Sequence, residues 1–369
     1  MNILVTGANG FIGRAVCQTL SAAGHTVFAL VRSSRAFFSG LPCVASRSPY
    51  CSYCLRARSL CNLTEKCSSA APVQREARIA YIHAQTDFVD IEDAIMPRVR
   101  VAPLETVVHL AARVHETSEN TPRFRAACHE TNVAGTLRVA AAAARAGARR
   151  FIFVSSIKAL GEIEPGRPWR EDDSPAPSDP YGHSKYAAEV ALRAACQRTG
   201  LEMVIVRPPL VYGPEVRANF LKWMRAIARG WPLPLAQLRA PRSFIYLENL
   251  ANALAVCATH PAAAGRTFHV SDGRDISVAE LSIALGEALG APAHLWRCPV
   301  ALFSALGRIT GRGAQINRLI QPLRLDIERA RTVLGWSPPY SPHQGLQQTA
   351  AWYRRFEQPR GSAQRPLPY

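Results

Sequence analysis

Thr6-Gly7-Ala8-Asn9-Gly10-Phe11-Ile12-Gly13 is the stretch whose reading decides the fold. It follows Met1-Asn2-Ile3-Leu4-Val5, a short apolar run that reads as a buried parallel strand. After it, Phe11, Ile12, Ala15, Val16 and Leu20 recur near helical spacing until Gly24 ends the pattern. A strand, a glycine turn and a helix in that order suit the pyrophosphate of a dinucleotide. Glycine lets the backbone approach closely, and the helix start offers free N–H groups and the positive end of its dipole. The spacing is G-x-x-G-x-x-G rather than the commoner G-x-G-x-x-G, and three glycines alone also mark ordinary turns. Their place in a βαβ unit makes Gly7, Asn9, Gly10, Phe11, Ile12 and Gly13 the expected phosphate cradle.

With 369 residues the chain can bury a large core, in two domains or one elaborated domain. Hydrophobic content of 48% and charged content of 19% are those of an ordinary globular protein. The net charge of +17 would suit nucleic acid, but only Lys66, Lys158, Lys185 and Lys222 are lysines, and the arginines are scattered. The tightest group, Arg145, Arg149 and Arg150, sits at a helix end, where cations favour the dipole. No nucleic-acid partner is expected; diffuse arginine is compatible with an anionic substrate or a membrane surface. The chain shows no secretory segment, and no apolar run approaches the roughly 20 residues that span a bilayer. The expectation is a cytoplasmic protein without an integral span, its ten cysteines reduced.

A second strand follows at Thr26–Val31, and its end is where the ribose-reading residue belongs. An acidic residue there favours NAD, whereas arginine accommodates the 2′-phosphate of NADP; here Arg32 occupies the place, so the residue leans towards NADP. Residues 36–78 then break the pattern with Cys43, Cys51, Cys54, Cys61 and Cys67. Cys51 and Cys54 have CxxC spacing, but Cys61 and Cys67 are too widely spaced for a standard ligand pair, and no metal site is expected. The stretch reads as a poorly ordered insertion, unusual inside a compact domain. Order returns near Ile79, and Thr86–Asp90 is expected to close a third strand, placing Asp87 to meet an adenine or to cap a helix. The strand Thr106–Ala112 is followed by small residues that let the backbone lie against a cofactor, with Leu110, Ala111 and Ala112 as expected contacts; His109 reads as a packed core histidine. Asn132, on the apolar face of a helix from Phe124 to Ala146, must find partners and would pin a neighbouring loop.

The fifth strand, Arg150–Val154, ends in Ser155-Ser156, and open α/β sheets place their ligands at such strand ends. Further on, Tyr181-Gly182-His183-Ser184-Lys185 opens a helix, and Tyr181 and Lys185, four apart, share one face. A phenol with pKa near 10 is a poor base at neutral pH. A nearby ammonium and a positively charged nicotinamide would lower it, while a serine hydroxyl holds the same substrate oxygen. Ser156, Tyr181 and Lys185 are thus the candidate catalytic set for hydride chemistry at a carbinol or carbonyl.

The turn Thr6–Gly13, Val108–Ala112, Phe153–Ser156, Tyr181–Lys185 and Arg207-Pro208-Pro209-Leu210-Val211-Tyr212-Gly213-Pro214 stand in the order found in extended short-chain dehydrogenase/reductases. The chain resembles their nucleotide-sugar epimerase/dehydratase branch over nearly everything except residues 36–78. The resemblance implies an α/β fold: a doubly wound parallel-sheet Rossmann domain holding NAD(P), residues 1–206, with a smaller α/β substrate lobe, mainly residues 207–357. A tail over 358–369, rich in Pro, Arg and Gln, is expected to be disordered. The resemblance further implies a Ser/Tyr/Lys triad, Pro208 beside the cofactor, and Asn219 and Arg242 on the diphosphate of a nucleoside-diphosphate sugar, with a homodimer as the assembly to test. A guanidinium fork suits phosphate oxygens.

One departure is informative. The 4,6-dehydratases of this branch carry an Asp-Glu pair just after the strand-five hydroxyl residue, where this chain has Ile157-Lys158-Ala159, so dehydration is disfavoured. The resemblance leaves two activities open: 4-epimerisation of a UDP-hexose or UDP-N-acetylhexosamine with NAD, or one-way reduction of a 4-keto-6-deoxy sugar with NADPH. The wording of Phe153–Glu162 and Arg217–Pro234 is similar to bacterial enzymes of O-antigen and capsule sugar synthesis. A non-catalytic NAD(P)-binding protein is the reading from another class. In the lobe, Ser277-Val278-Ala279-Glu280 has capping-box form. Val300–Ile309 reads as an apolar helix packed within the lobe, with membrane contact as the alternative.

Overall fold

The computed structural model describes residues 1–31, 79–84, 88–99, 103–114, 121–309 and 313–357. Arg32, the cysteines of 36–78, Asp87 and the tail 358–369 lie outside the described residues. The sequence's short apolar runs form strands β1 (Asn2–Thr6), β2 (Thr26–Val31), β3 (Ile79–His83), β4 (Thr106–His109), β5 (Arg150–Val154) and β6 (Glu202–Arg207). Later come β7 (Leu210–Tyr212), β8 (Pro241–Arg242), β9 (Phe244–Tyr246), β10 (Thr267–His269) and β11 (Ile276–Ser277). Seven of them form one sheet in the order β10-β6-β5-β4-β1-β2-β3, every neighbouring pair parallel. The order reverses beside β1, which pairs with β2 on one side and β4 on the other, so the crevice of a doubly wound sheet opens at the end of β1.

Helices cover both faces, as a parallel sheet requires. They are α1 (Phe11–Ala22), α2 (Ile91–Val99), α3 (Pro122–His129), α4 (Gly135–Arg145), α5 (Pro180–Thr199), α6 (Ala218–Ala228) and α7 (Leu247–Thr259). After them come α8 (Val278–Leu289), α9 (Val300–Ile309), α10 (Gly313–Ile320), α11 (Glu328–Leu334) and α12 (Pro342–Phe356). Alternate residues of each strand serve opposite faces. Ile3, Val5, Val27, Val108 and Ile152 join the core under α1 and α7, while Leu4, Phe28, Val107, Phe151 and Phe153 join the core under α4 and α5. The first core runs on without a break through Tyr212, Phe220, Tyr246, Leu281 and Leu346, so the residues after Arg207 share it. They also return to the sheet itself, because β10 is its edge strand.

Arg150, 1% exposed, shows how one buried cation is accommodated. Its Nε and Nη2 donate to Glu202 at 2.9 and 2.8 Å, and its Nη1 donates to the Cys257 and His260 carbonyls at 2.8 Å, closing the C-terminal end of α7. The third strand differs from its expected place. β3 ends at His83, and Phe88, at φ 62°, begins a turn into α2 that buries its ring against His109. A positive φ at an aromatic residue is incompatible with a strand.

Candidate active site

The glycine turn is held by contacts that a side chain would break. Gly7 has φ 67°, and a Cβ there would lie 2.9 Å from the Ala111 amide nitrogen. At Gly13 a Cβ would lie 2.2 Å from the Gly7 carbonyl oxygen. Glycine therefore lets the turn touch Leu110–Ala112 and lets α1 start directly behind it. Gly10 caps α1 without any side-chain hydrogen bond, and the first turn carries no acid, so no side chain competes for the positive end of α1. An uncapped helix start behind a turn too tight for any Cβ fits the pyrophosphate of a dinucleotide.

Beneath the turn runs a chain of hydrogen bonds whose direction is fixed. Thr136 Oγ1 donates to the Asn132 carbonyl at 2.7 Å, so it accepts from His109 Nε2 at 3.0 Å. Nδ1 then carries no proton and accepts from Thr6 Oγ1 at 2.8 Å, which in turn accepts from the Ala111 N–H at 3.2 Å. Burial, and after it the Lys185 charge, pushes His109 down to about 3, so it stays neutral. Asn132 sits in a π-helical turn, Glu130–Ala134, between α3 and α4. Its Oδ1 accepts from the Arg113 N–H at 2.8 Å; its Nδ2 donates to the Arg113 carbonyl at 3.0 Å and to Ser184 Oγ at 2.9 Å. Ser184 Oγ donates to the Tyr181 carbonyl at 2.8 Å, so one amide ties the loop after β4 to the helix of Tyr181. A π turn at such a place is a familiar mark of a functional site.

Helix α5 begins on Asp179-Pro180, a strong start signal: Asp179 Oδ1 accepts from the Gly182 N–H at 2.6 Å and Pro180 occupies the first turn. A Cβ at Gly182 would lie 2.4 Å from the Lys158 carbonyl oxygen, so glycine lets α5 rest on the turn Ile157–Ala159 that Ser156 caps. That contact brings together three residues remote in sequence. The Ser156 hydroxyl lies close enough to the Tyr181 phenol to favour its ionised form. Lys185, 2% exposed, donates from Nζ to the Val154 carbonyl at 2.8 Å and lies 4.5 Å from the Phe153 ring centroid and 6.0 Å from that of Tyr181. Pro208 is buried behind them, its carbonyl accepting from the Ile157 N–H at 3.0 Å.

Electrostatics here differ from the sequence expectation that the ammonium brings the phenol down. Burial raises the Tyr181 phenol above its ordinary value, the Asp179 charge raises it further, and the Ser156 hydrogen bond opposes both only in part. Burial also pulls Lys185 down to about 7, with Glu189 opposing, so near neutrality its positive charge is only partial. Glu189 itself is committed to Arg207, which donates to it at 2.9 and 2.5 Å with both side chains buried.

A charged cluster beside the triad escaped the sequence reading, which noticed Lys158 only as a missing carboxylate. Lys158 Nζ lies 2.6 Å from Asp179 and 2.9 Å from Glu162. Arg318, from α10, lies 2.7 Å from Glu162 and 3.6 Å from Asp179. Burial pushes the Asp179 carboxyl up, and the Lys158 ammonium, the Gly182 N–H and Arg318 together more than offset that, holding it below the ordinary carboxylate value. Arg242 joins through its Nη1, which donates to the Gln321 carbonyl at 2.7 Å and to the Arg318 carbonyl; burial pulls it down to about 10. The i,i+4 spacing of Lys158 and Glu162 was the only local signal of this cluster. Asn219 stands exposed on the first turn of α6, after Ala218 at φ 53°.

The sequence and the fold are matched by known proteins. Residues 3–271 match the model of the NAD dependent epimerase/dehydratase family. A UDP-glucose 4-epimerase of Vibrio cholerae is 39% identical over 246 residues, 66% of this chain and 75% of that protein. A UDP-glucose 4-epimerase of Mycolicibacterium smegmatis is 28% identical over 368 residues, 97% of this chain and 100% of that one. Among solved structures, UDP-glucose 4-epimerase from Thermotoga maritima with UDP-glucose superposes with a TM-score of 0.69 at 23% identity, covering 96% of this chain and 99% of that chain, a likeness of fold. With a glycine cradle at the switch point of a doubly wound sheet and a family match that spans it, the chain belongs to the NAD-dependent epimerase/dehydratase family of extended short-chain dehydrogenase/reductases.

Proposed function

We propose that this chain is a nucleotide-sugar 4-epimerase acting on a UDP-hexose or UDP-N-acetylhexosamine with NAD, in bacterial surface-polysaccharide synthesis. The observation that carries the reading is the contact of Ser156, Tyr181 and Lys185 at the end of β5, close to a cradle fit for a dinucleotide. The names of the two epimerase relatives support the same substrate class.

Gly7, Asn9, Gly10, Phe11, Ile12 and Gly13 would hold the pyrophosphate, with Leu110, Ala111, Ala112 and Pro208 along the ring side. When bound, the nicotinamide supplies the hydride acceptor and donor and, oxidised, a positive charge. Tyr181 would take the proton of the C4 hydroxyl and return it, Ser156 Oγ would hold the same oxygen, and the Lys185 ammonium would favour the phenolate. Arg242 and Asn219 would keep the diphosphate in place while the 4-keto sugar turns its other face. Water elimination is disfavoured, because Asp179 and Glu162 are both bound to Lys158 and Arg318.

Arg32, the residue after Val31 in sequence, favours the second reading, reduction of a 4-keto-6-deoxy nucleotide sugar by NADPH. Two measurements separate them: the nucleotide released from the purified, denatured protein, and the C4 epimer ratio of UDP-sugars incubated without added cofactor. Retained NAD and an equilibrating ratio are expected. Stoichiometric NADPH consumption with a 4-keto sugar, and no epimerisation, would replace the first reading by the second. Cofactor binding with neither activity would leave a non-catalytic binding protein.

A further inference from the structure

We infer that the C-terminal part of the chain carries a docking surface for an anionic phospholipid bilayer, made by α9, the segment before it and the loop after α6. Four large apolar side chains stand out from this surface: Trp231 is 55% exposed, Trp296 47%, Leu302 51% and Ile309 82%. They belong to one region. The Trp296 N–H donates to the Leu233 carbonyl at 3.0 Å, joining the two tryptophan loops, and α9 starts four residues after Trp296. On α9 the exposed positions Leu302, Ala305 and Ile309 follow helical spacing, so the apolar stripe faces outward. The opposite side of the helix is occupied, since a Cβ at Gly307 would lie 2.7 Å from Ile316 of α10.

Charge selects the occupant. Residues 216–247 and 288–325 contain no acid. Among their cations Lys222, Arg229 and Arg297 are exposed, whereas Arg225, Arg318 and Arg324 pair with Glu357, Glu162 and Glu164, and Arg242 is largely buried. Arg229 lies 5.7 Å from the Trp231 ring centroid, and Arg297 is exposed beside Trp296. Exposed Trp, Leu and Ile flanked by arginine is the composition of a surface that lies in a headgroup layer, apolar side down and cations against lipid phosphates. A second copy of this chain would set the exposed Arg229 and Arg297 against their own copies across a two-fold axis. Among the described residues no helix is long and apolar enough to cross a membrane, so this contact lies on the bilayer and does not span it. The surface is rooted at the sugar site through Arg318, which reaches Glu162 from the end of α10. Docking would therefore present the substrate cleft close to the membrane face.

The full-length protein is mixed with phosphatidylglycerol-containing vesicles and with pure phosphatidylcholine vesicles, and partition is read by co-sedimentation and by the shift of tryptophan fluorescence. Binding to the anionic vesicles, weakened by salt, is expected, with a blue shift lost in Trp231→Ser/Trp296→Ser. Leu302→Glu and Ile309→Glu, on exposed positions, should each lower partition roughly tenfold, with the far-ultraviolet circular dichroism unchanged. Arg297→Glu should lower it without altering binding of nucleotide. Four results would overturn the proposal: no binding, equal binding to pure phosphatidylcholine, binding insensitive to all these substitutions, or a dimer in light scattering that Ile309→Glu dissociates. The readout is binding and needs no turnover, so it stands or falls apart from the C4 assignment.

Discussion

Replacing Lys185 by Met should make the protein more stable in mild acid while abolishing turnover. The lysine is 2% exposed, and Glu189, the carboxylate that favours its charge, is bound to Arg207. Its pKa falls from 10.5 to about 7, chiefly through burial. At about 1.36 kcal/mol per pH unit, that gap makes the buried ammonium about 5 kcal/mol less favourable in the fold than in the unfolded chain. The unfolded chain keeps this proton up to about pH 10.5, and the fold gives it up near 7. Between those values the unfolded state binds more protons, so native stability rises with pH through that window. Below about pH 7 both states are protonated and the whole penalty applies. Methionine removes the charge and leaves the Val154 carbonyl without its donor, a loss of about 1–3 kcal/mol. The net gain should be about 2–4 kcal/mol near pH 6, shrinking to nothing or reversing by about pH 10. Urea unfolding of the two proteins at several pH values between those limits measures it. A stability difference that does not change with pH, or a wild type more stable near pH 6, would refute the argument that this lysine is held at a cost.

The other predictions are simpler. Tyr181→Phe should lower kcat by about 10²–10⁴-fold while leaving the dissociation constant of the dinucleotide unchanged, measured by steady-state kinetics and calorimetry. Gly13→Ala would place a methyl 2.2 Å from the Gly7 carbonyl oxygen and 2.7 Å from the Ala8 Cα, both backbone, so cofactor binding should disappear. Unaltered affinity in that variant would remove the cradle from the site. Arg207→Met should cost about 3–5 kcal/mol in denaturant unfolding, because it strands the buried Glu189 carboxylate. Asn132→Ala should cost about 2–4 kcal/mol and slow turnover without changing cofactor affinity, since it orphans the Arg113 backbone and frees Ser184 from the loop.

What the sequence displayed was local. Thr6–Gly13 and the pair Tyr181 and Lys185 announce themselves because a turn and a helical face are set within a few residues. The neighbourhood of Ser156 was readable once β5 was recognised, since strand ends collect ligands in this architecture. What stayed hidden depends on distant contacts. Asn132 was marked as needing partners, but that these are Arg113 and Ser184 follows from how α3 and α5 pack. Arg318 reaches Glu162 across more than 150 residues, and no periodicity signals that. Arg150 looked like one of several cations at a helix end, yet it closes a different helix, α7, brought over by tertiary packing. The apolar run at Thr86–Asp90 suggested a strand because alternation does not reveal a residue held at positive φ. The return of β10 to the sheet was equally silent, a three-residue strand with no motif of its own.

The charges around Tyr181 explain why the two halves of the site must act together. Burial keeps the phenol protonated and draws Lys185 towards neutrality, so the chain alone favours the uncharged pair. Asp179 works in the same direction, because its charge raises the phenol, yet it cannot be dispensed with: it caps the helix that carries Tyr181 and Lys185. Lys158 resolves this conflict by placing an ammonium 2.6 Å from the Asp179 carboxylate, and Arg318 adds a second cation at 3.6 Å. The cap is kept and its carboxylate is paired, although its charge still raises the phenol. A lysine at this position therefore does more than replace a carboxylate that another member of the family would use for elimination. It pairs the aspartate on which the helix of Tyr181 starts, and Tyr181 is the residue that would ionise under the proposed function. Under the proposed function, an oxidised nicotinamide in the cradle would supply the further positive charge that favours the Tyr181 phenolate.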